Sequence, residues 1–413
     1  MRYIADLHVH SHYSRATSRT LNLETLHQWA TIKGIHVVGT GDFTHPKWLQ
    51  ELQEKLISDG NGFYKLKNPP PRLMSVQPID IRFCLSTEVS CIYKDANKLR
   101  KNHSLLFAPD LETVAKINTK LSKIGNLAAD GRPILGLSAR NLLEIVLEAS
   151  DRAYLIPAHI WTPWFSVLGS KAGYDSVEMC FKELTPYIFA LETGLSSDPA
   201  MNRRLSALDR YTMVSNSDAH SPKNLGREAN IFDTACTYDA LFEALKTQKG
   251  FLGTFEFFPQ EGKYYLDGHR NCGICFDPSM TLAHHGICPI CGKPLTIGVL
   301  HRVVDLADRE QPISPTDTTG FEYIIPLPEI IAEINGIGVA SKKVQKQFAH
   351  IIKTFGNEFT FLQETPIQDI KQQAGPIYAE AISRLRKQQV LRQPGYDGVY
   401  GTIHLFQPEE LKR

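Results

Sequence analysis

The sequence lacks the features that mark membrane-spanning, secreted and uniformly basic proteins. None of its apolar runs reaches the roughly 18 residues that a transmembrane helix needs. Its 45 Lys and Arg residues against 44 Asp and Glu residues leave a net charge of +1, which excludes a surface that is basic throughout. The N-terminal residues do not form a signal peptide, so we expect no secretion.

Cysteine is sparse outside one segment. Four of the eight Cys residues are scattered, and the other four lie between Cys272 and Cys291. This distribution is not that of a small disulfide-bonded secreted domain, so we expect the protein to reside in the reducing cytoplasm. The 413 residues, of which 42% are hydrophobic and 22% charged, are too many for one compact core, and we expect two or three soluble domains.

Short β-branched or apolar runs alternate with helix-length segments between residue 3 and about 255. The alternation predicts an α/β fold of βα units around a largely parallel sheet. The predicted strands are residues 3–9, 35–40, 81–86, 104–108, 154–158, 187–191 and 212–215, and the predicted helices are residues 21–33, 46–58, 111–124, 141–149 and 238–248. Residues 58–80 are predicted to be an inserted loop, either a lid or a disordered segment.

The pattern changes near Phe258, and three blocks follow from it. We expect an α/β domain over residues 1–258, a cysteine-rich module over 259–314 and a mostly helical domain over 315–413. A linker-like stretch at residues 314–317 precedes the last domain.

Asp6, His8 and His10 lie two residues apart in the first predicted strand, so their side chains leave the same face. Such a pattern also occurs by chance on surface strands. Other acids and imidazoles, however, follow later predicted strands, and the carboxyl ends of parallel strands meet at one edge. His103 precedes its strand, so it reaches this edge only through an antiparallel strand or a loop. The residues at the strand ends are Asp42, Glu88, His159, Asp218 and His220.

This many imidazoles and carboxylates exceeds the needs of one metal ion, and we expect two or three divalent ions. The residue types suit Zn, Mn or Mg. Two ions roughly 3.5–4 Å apart stabilise both the attacking and the leaving oxygen of a phosphoryl displacement, so phosphoester hydrolysis is the leading expectation, ahead of amide hydrolysis or deamination. We expect Glu88 to bridge the ions and Asp6 to orient an imidazole.

Four short segments resemble the signature blocks of the polymerase and histidinol phosphatase (PHP) family. They are DLHVH at residues 6–10, TE at 87–88, PAH at 157–159 and SDAH at 217–220. The resemblance implies a distorted (β/α)7 barrel with up to three metal ions and phosphoesterase activity. Its implied metal sites are His8, His10, Glu88 and Asp218 for one ion, and Glu88, His103 and His159 for another, with Glu88, His159 and Asp218 as catalytic residues.

Further segments resemble the endonuclease Q family over nearly the whole chain. They are RATS at residues 15–18, GTGDFTHP at 39–46 and ALETGLSSDP at 190–199. This resemblance implies an enzyme that nicks DNA on the 5′ side of uracil, hypoxanthine, xanthine or an abasic site. The chain departs from the typical Asp-His pair at Asp42-Phe43, so Asp42, His45 and His220 either hold a third ion or orient phosphate.

Two Cys-x-x-Cys pairs, Cys272 with Cys275 and Cys288 with Cys291, are separated by twelve residues. The spacing predicts one structural zinc ion held by four thiolates, whose binding supplies folding energy. A redox dithiol, the alternative, needs only one pair. The module would clamp DNA or brace the barrel.

Residues 330–344 predict two helices joined by a turn that contains Gly336 and Gly338. Such a helix-hairpin-helix module binds a DNA phosphate through turn amides and the next helix N-terminus, although an ordinary corner between helices is the alternative. Lys342 and Lys343 favour DNA. Residues 367–385 resemble a second, degenerate copy, in which Pro376 removes an N–H donor.

Three aromatic residues, among them Trp161 and Trp164, follow His159. A nuclease that cuts beside a damaged base must extrude that base, and we expect Trp161 or Trp164 to enter the stack or to line the pocket. A loop anchored by buried tryptophan is the alternative.

Two other functions stay open at this point. A small-molecule phosphatase would leave the Cys pairs and the helical turn without a use. A catalytically inactive DNA-binding scaffold would not need Glu88, His159 and Asp218. The expected partners are damaged DNA and replication or repair factors, without a membrane.

Overall fold

The computed structural model describes residues 1–74, 76–313 and 320–411, which form a mixed α/β fold around one large sheet. The strands within these ranges are β1 (Arg2–Asp6), β2 (Val37–Gly39), β3 (Leu56–Ser58), β4 (Tyr64–Leu66), β5 (Arg82–Asp95), β6 (Lys98–Ala108), β7 (Ile134–Leu135), β8 (Tyr154–Pro157), β9 (Ala190–Glu192), β10 (Thr212–Val214), β11 (Ala229–Asp233), β12 (Phe251–Glu256), β13 (Asp267–His269), β14 (Ile274–Phe276), β15 (Gly320–Tyr323), β16 (Leu391–Gln393) and β17 (Thr402–His404). The helices are α1 (Leu23–Lys33), α2 (Pro46–Lys55), α3 (Leu111–Leu121), α4 (Ala139–Ala149), α5 (Val177–Phe181), α6 (Pro199–Asn202), α7 (Tyr238–Thr247), α8 (Pro278–Ala283), α9 (Val299–Leu306), α10 (Leu327–Asn335), α11 (Lys342–Phe355), α12 (Ile367–Gln373) and α13 (Pro376–Arg386).

The central sheet has the strand order β15-β12-β11-β1-β2-β5-β4-β3, with β6 and β7 paired to β5 and β8 paired to β6. Strands β1, β2 and β5 run parallel, so their carboxyl ends share one edge. The prediction of a largely parallel sheet is wrong for the strands around them, because β11 pairs antiparallel with β1 and β6 pairs antiparallel with β5. Strands β5 and β6 are joined by Ala96 and Asn97, whose φ angles of 47° and 61° form a tight hairpin turn.

Each predicted strand of the first block overlaps an observed strand, and the five predicted helices correspond to α1, α2, α3, α4 and α7. The predicted loop at residues 58–80 is partly wrong, since β3 and β4 pair there and extend the edge of the sheet. The two ends of α1 show why the helix predictions succeed. Asn22 accepts the N–H of Thr25 at the start, and Gly34 ends the helix with a φ of 93°.

Strand β1 is buried on both sides of the sheet. Ile4 belongs to one hydrophobic cluster, and Tyr3 and Ala5 belong to another, as the alternation of side chains along a strand requires. A third cluster lies mainly in helices α10 to α13. The candidate site therefore stands at the end of a strand that two packed layers hold in place.

The C-terminal half joins the sheet rather than standing apart from it. Strand β15 pairs parallel with β12, and β13 and β14 form a separate hairpin that carries part of the cysteine segment. The predicted linker at residues 314–317 lies outside the described residues. In the ranges that the structure describes, no helix combines the length and apolar character that crossing a membrane requires.

Candidate functional site

Two groups of candidate metal ligands meet at the carboxyl edge of the sheet and share Glu88. Within each group, one ligand atom from every residue lies within 4.8 Å of the others. The groups contain the residues that the sequence predicted for the first two metal sites: His8, His10, Glu88 and Asp218 in one, and Glu88, His103 and His159 in the other.

The two carboxylate oxygens of Glu88 face different groups. Oε2 lies 3.6 Å from His8 Nε2 and 3.3 Å from His10 Nε2. Oε1 lies 2.6 Å from His103 Nδ1 and 3.1 Å from His159 Nε2. His103 reaches this position because β6 runs antiparallel to β5, which was one of the two predicted routes. Glu88 thus has the geometry of a carboxylate that two cations share.

Charge around Glu88 keeps this carboxylate ionised. Burial alone raises the pKa of Glu88, but the charges of His103, Arg132 and His8 more than offset burial and hold the pKa well below its usual range. Arg132 Nη1 lies 2.9 Å from Glu88 Oε2. The sequence analysis missed Arg132, because no motif surrounds it.

Asp218 completes the first group. Its Oδ1 lies 2.9 Å from His10 Nε2 and 3.4 Å from His8 Nε2. His8 Nε2 is buried and has no hydrogen-bond partner, although it faces two carboxylates. A buried imidazole lone pair beside two anionic oxygens fits a divalent cation, which would satisfy all three atoms.

Three residues at the carboxyl edge have strained backbones. Asp42, His159 and Asp218 have φ angles of 49°, 29° and 46°, in a region that residues other than glycine rarely adopt. The turn after β9 is equally constrained, because a Cβ at Gly194 would lie 2.4 Å from the Cβ of His159. Strain of this kind persists where surrounding structure imposes it, and it clusters at functional sites.

Glu192, which the sequence analysis also missed, takes the role expected of Asp6. Both Glu192 carboxylate oxygens lie 3.1 Å from His8 Nδ1. Asp6 instead accepts the backbone N–H groups of Ser217 at 3.0 Å and Gly226 at 2.8 Å. Asp6 therefore fixes the loop that carries Asp218, and Glu192 orients the imidazole of His8.

Asp42 uses its carboxylate within the protein. Ser11 donates to Oδ2 through both its backbone N–H and its hydroxyl group at 2.7 Å, and the Ser14 hydroxyl donates to the same oxygen at 2.8 Å. Oδ1 lies 3.2 Å from His10 Nδ1. Asp42 thus orients His10 as Glu192 orients His8.

His45 and His220 lie outside both ligand groups. The His45 ring stacks on Tyr13 with ring centres 4.4 Å apart, and its Nδ1 atom is buried without a hydrogen-bond partner. His220 Nδ1 donates to the backbone oxygen of Asp218 at 2.8 Å. Within the described residues, Asp42, His45 and His220 form no third ligand group.

A cavity of about 250 Å³ opens beside the second ligand group. Trp164 borders it, has 41% of its surface exposed and lies edge-on to Tyr264 at a ring distance of 5.4 Å. Trp161 is fully buried and donates its indole N–H to Asn202 at 2.8 Å. The expected DNA contact of Trp161 is therefore corrected, because this side chain is buried and anchors the loop. Trp164 is exposed at the cavity and can contact a ligand. The residues lining this cavity are His103, Arg132, His159, Thr162, Trp164, Phe165, Glu192, Gly194, Leu195, Ser196 and Asp218.

The cysteine segment forms a third ligand group, in which His269 replaces one predicted thiolate. The group contains His269, Cys272, Cys288 and Cys291, with His269 Nδ1 and Cys291 Sγ 3.5 Å apart. Cys275 is exposed and lies outside the group. The sequence signal for this ligand was His269, which lies three residues before Cys272. It was overlooked because the two Cys-x-x-Cys pairs already offered four thiolates.

The turn between α10 and α11 is open on the surface. Gly336 has a φ of 61°, and a Cβ at Gly336 or Gly338 would meet no atom within 4 Å. Lys342 and Lys343 are exposed in the first turn of α11, which Ser341 caps. This surface can accept an anionic oxygen between backbone N–H groups and the helix N-terminus.

Comparison with known proteins identifies similar structures along the whole chain. The crystal structure of the lesion-specific endonuclease PfuEndoQ from Pyrococcus furiosus is 31% identical with a TM-score of 0.87, covering 100% of this chain and 96% of that chain. Endonuclease Q in complex with a 27-mer duplex substrate that has an abasic lesion at the active site is 31% identical with a TM-score of 0.85, covering 100% of this chain and 98% of that chain.

Two uncharacterized proteins and one family description also match. MJ0043 of Methanocaldococcus jannaschii is 31% identical over 260 residues, covering 61% of this chain, and the chain spans only 32% of that protein's length. YqxK of Bacillus subtilis is 29% identical over 416 residues, covering 97% of this chain and 98% of YqxK. Residues 326–389 match the family described as the MJ0043 C-terminal domain.

Proposed function

The chain belongs to the endonuclease Q family, and we propose that it hydrolyses the DNA phosphodiester bond on the 5′ side of a damaged nucleotide. It is a metal-dependent, lesion-specific DNA endonuclease. The proposed lesions are uracil, hypoxanthine, xanthine and abasic sites, and the proposed products have 3′-hydroxyl and 5′-phosphate ends. The observation that carries the proposal is Glu88, which directs one oxygen to each of two ligand groups.

The proposed cofactors are two divalent cations, Zn, Mn or Mg. One is assigned to His8, His10, Glu88 and Asp218, and the other to Glu88, His103 and His159. When bound there, such ions supply Lewis acidity for an attacking water and stabilise the departing 3′ oxygen. Asp42, His45 and His220 receive no ion in this proposal, because Asp42 already accepts several hydrogen bonds from the protein.

Residues of the chain itself position the DNA. Arg132 stands at the cavity wall and offers a planar fork of donors, the geometry that binds a phosphate group. The cavity lies beside Glu88, and we assign it to the extruded nucleotide with Trp164 as its aromatic wall. The exposed turn at Gly336 and Gly338, with Lys342 and Lys343, is assigned to a phosphate of the flanking duplex as a helix-hairpin-helix module.

The proposed domain organisation follows the same argument. We assign residues 1–258 to a PHP-type (β/α)7 barrel, supported by hydrogen bonds that link the segment after β8 to β9 and the residue after β10 to β11. Ile160 N–H donates to the backbone oxygen of Glu192 at 3.0 Å, and Ser215 N–H donates to Asn230 Oδ1 at 3.0 Å. Residues 259–314 are assigned to a zinc-binding module and residues 315–413 to a helical DNA-binding domain.

Nicking of defined duplexes tests this function. Labelled duplexes with one uracil, one hypoxanthine, one abasic site or only normal bases are incubated with Mg, Mn or Zn, and each nick is mapped. We expect 5′ nicks at lesions only, and at least 100-fold slower nicking by Asp218→Ala because one ligand group loses its terminal carboxylate. Exposed Asp151 provides the control Asp151→Ala, which should nick at the normal rate.

Three outcomes contradict the proposal. They are equal nicking of undamaged duplex, cleavage on the 3′ side, and full activity of Asp218→Ala. Hydrolysis of a phosphate monoester without any DNA nicking would assign a small-molecule phosphatase instead.

A further inference from the structure

The hairpin of β5 and β6 extends well beyond the ligand groups. The two strands pair without a register shift from Leu85 opposite Ala108 to Asp95 opposite Lys98. Directly paired residues present their side chains on the same face of a hairpin. The register therefore assigns every outer residue of the hairpin to one of two faces.

One face carries Glu88 and His103 and continues outward as a basic and apolar surface. His103 is opposite Ser90, and the next pairs on this face join Lys101 to Ile92 and Leu99 to Lys94. Lys94 is exposed, and Leu99 has 51% of its surface exposed. A strand rises about 3.3 Å per residue, so Lys94 lies about 20 Å along the hairpin from Glu88, roughly the length of six base pairs.

Lys101 connects this outer surface to the cavity. Its Nζ atom lies 5.2 Å from the centre of the Phe165 ring, which borders the cavity and lies 4.7 Å from the His103 ring. The positive charge of Lys101 therefore lies beside the mouth of the site, and that of Lys94 lies further along the same face.

The opposite face of the hairpin is occupied by protein contacts. Arg100 packs over the Tyr174 ring at 4.0 Å, and the Asn102 side chain donates to the Ser166 backbone oxygen at 2.9 Å. Asp95 also belongs to this face, where it accepts the Tyr174 hydroxyl group at 2.8 Å. Lys98 pairs with Asp95 at the tip of the hairpin. It is exposed, but its side chain lies on the face opposite to that of Glu88 and His103.

We propose that the face carrying Lys94, Leu99 and Lys101 is a clamp for the DNA backbone that flanks the lesion. Lys101 binds a phosphate next to the cavity, and Lys94 binds one further along the duplex. Lysine contacts to phosphate carry no sequence information and release counterions, so they suit an enzyme that finds lesions in any sequence. The clamp rests on the proposed function, since it presupposes a DNA substrate.

Salt-dependent binding tests the clamp without cleavage. The full chain carrying Asp218→Ala, which should nick at least 100-fold more slowly and keeps the proposed zinc of the cysteine segment, is titrated by fluorescence anisotropy without added divalent metal. The ligands are a labelled duplex with one tetrahydrofuran abasic site and its undamaged counterpart, at several KCl concentrations. Lys94→Gln and Lys101→Gln should each lower the slope of log affinity against log salt by about 0.9, and the double variant by about 1.8. Both duplexes should be affected equally, because a phosphate contact does not depend on the lesion.

Lys98→Gln is the matched control, with the same charge change on the same hairpin but on the opposite face. An unchanged slope for the Lys94/Lys101 double variant, or an equal loss for Lys98→Gln, overturns the clamp. Because the Asp218→Ala background suppresses nicking and no divalent metal is added, these titrations are independent of cleavage. A wild-type protein that fails to nick damaged duplex contradicts the proposed function and leaves the slope comparison intact.

Discussion

Glu192 holds two candidate ligands without entering either ligand group. Its carboxylate faces His8 Nδ1 and also accepts the backbone N–H of His159 at 2.8 Å. An imidazole that donates its Nδ1 proton to a carboxylate keeps Nε2 unprotonated and aimed at a metal. His8 Nε2 is the buried atom that lacks a partner within the protein, so the orientation imposed by Glu192 is the one that a cation needs.

Replacing Glu192 by Gln should weaken metal binding while the fold persists. The amide oxygen can still accept the Nδ1 proton, but the negative charge that strengthens His8 as a ligand is lost, and we expect metal affinity to fall about 10- to 100-fold. Calorimetric titration with Mn, of protein whose barrel sites have been emptied by dialysis while the zinc of the cysteine segment is retained, measures this change. Excess Mn should restore part of the nicking rate. Exposed Glu243 provides the control Glu243→Gln. Equal Mn affinities for wild type and Glu192→Gln would refute the positioning role.

Sequence reasoning finds ligands more readily than the residues that orient them. The period-two spacing of His8 and His10 is visible locally, although β1 ends at Asp6 and the two residues flank the isolated bridge of Val9 with Ala219. Glu192 lies 184 residues from His8, and Arg132 lies 44 residues from Glu88, so only the fold brings each pair together. Asp6 was the nearer carboxylate in sequence, but it faces backbone N–H groups instead.

At the scale of elements, the β13–β14 hairpin decides which residues enter the ligand group of the cysteine segment. His269 is opposite Ile274, and Gly268 is opposite Cys275, so His269 and Cys275 leave opposite faces. Burial raises the pKa of the Cys288 thiol, but the backbone N–H groups of Cys291 and Ile290 more than offset it and lower the pKa to about 7. This favours the thiolate form that zinc binds.

We therefore expect Cys275→Ser to retain the zinc content of the wild type and His269→Ala to contain one zinc ion fewer per chain. Zinc content after dialysis, measured by mass spectrometry, distinguishes the two variants, and Cys288→Ser serves as the positive control for loss. Because a structural zinc ion supplies folding energy, His269→Ala should also lower the melting temperature of the module. Zinc loss from Cys275→Ser with retention by His269→Ala would restore the four-thiolate site.

Secondary structure was predictable where the pattern is strong and local. Helices such as α1 combine a capping residue, a buried stripe and a terminal glycine. Strands β11 and β12 were missed because Asn230 and Gly253, residue types that are depleted in strands, interrupt their apolar runs. The outer half of β6 was missed because Lys98, Arg100 and Lys101 give it the composition of a loop.

At the scale of the whole molecule, the helical C-terminal block is locked onto the α/β block. Lys33 at the end of α1 forms an ion pair with Glu358 at 2.7 Å, and each side chain has only 4% of its surface exposed. Glu358 also accepts the backbone N–H of Leu327 at 2.8 Å, and Trp29 stacks on Phe348 nearby. The composition of the sequence predicted where the blocks lie. It did not predict how they contact each other, because residues 325 positions apart in the chain leave no local pattern.

Losing one partner of this buried ion pair should destabilise the contact between the two blocks more than losing both partners. Lys33→Met leaves Glu358 charged, buried and without its cation, and we expect the free energy of unfolding to fall by about 3–5 kcal/mol. The double variant Lys33→Met/Glu358→Gln removes both charges and should recover most of that loss. Denaturant unfolding of wild type, Lys33→Met, Glu358→Gln and the double variant measures the difference. If the double variant is as unstable as the sum of the single variants, the two residues act independently, and the ion pair does not hold the C-terminal block against α1.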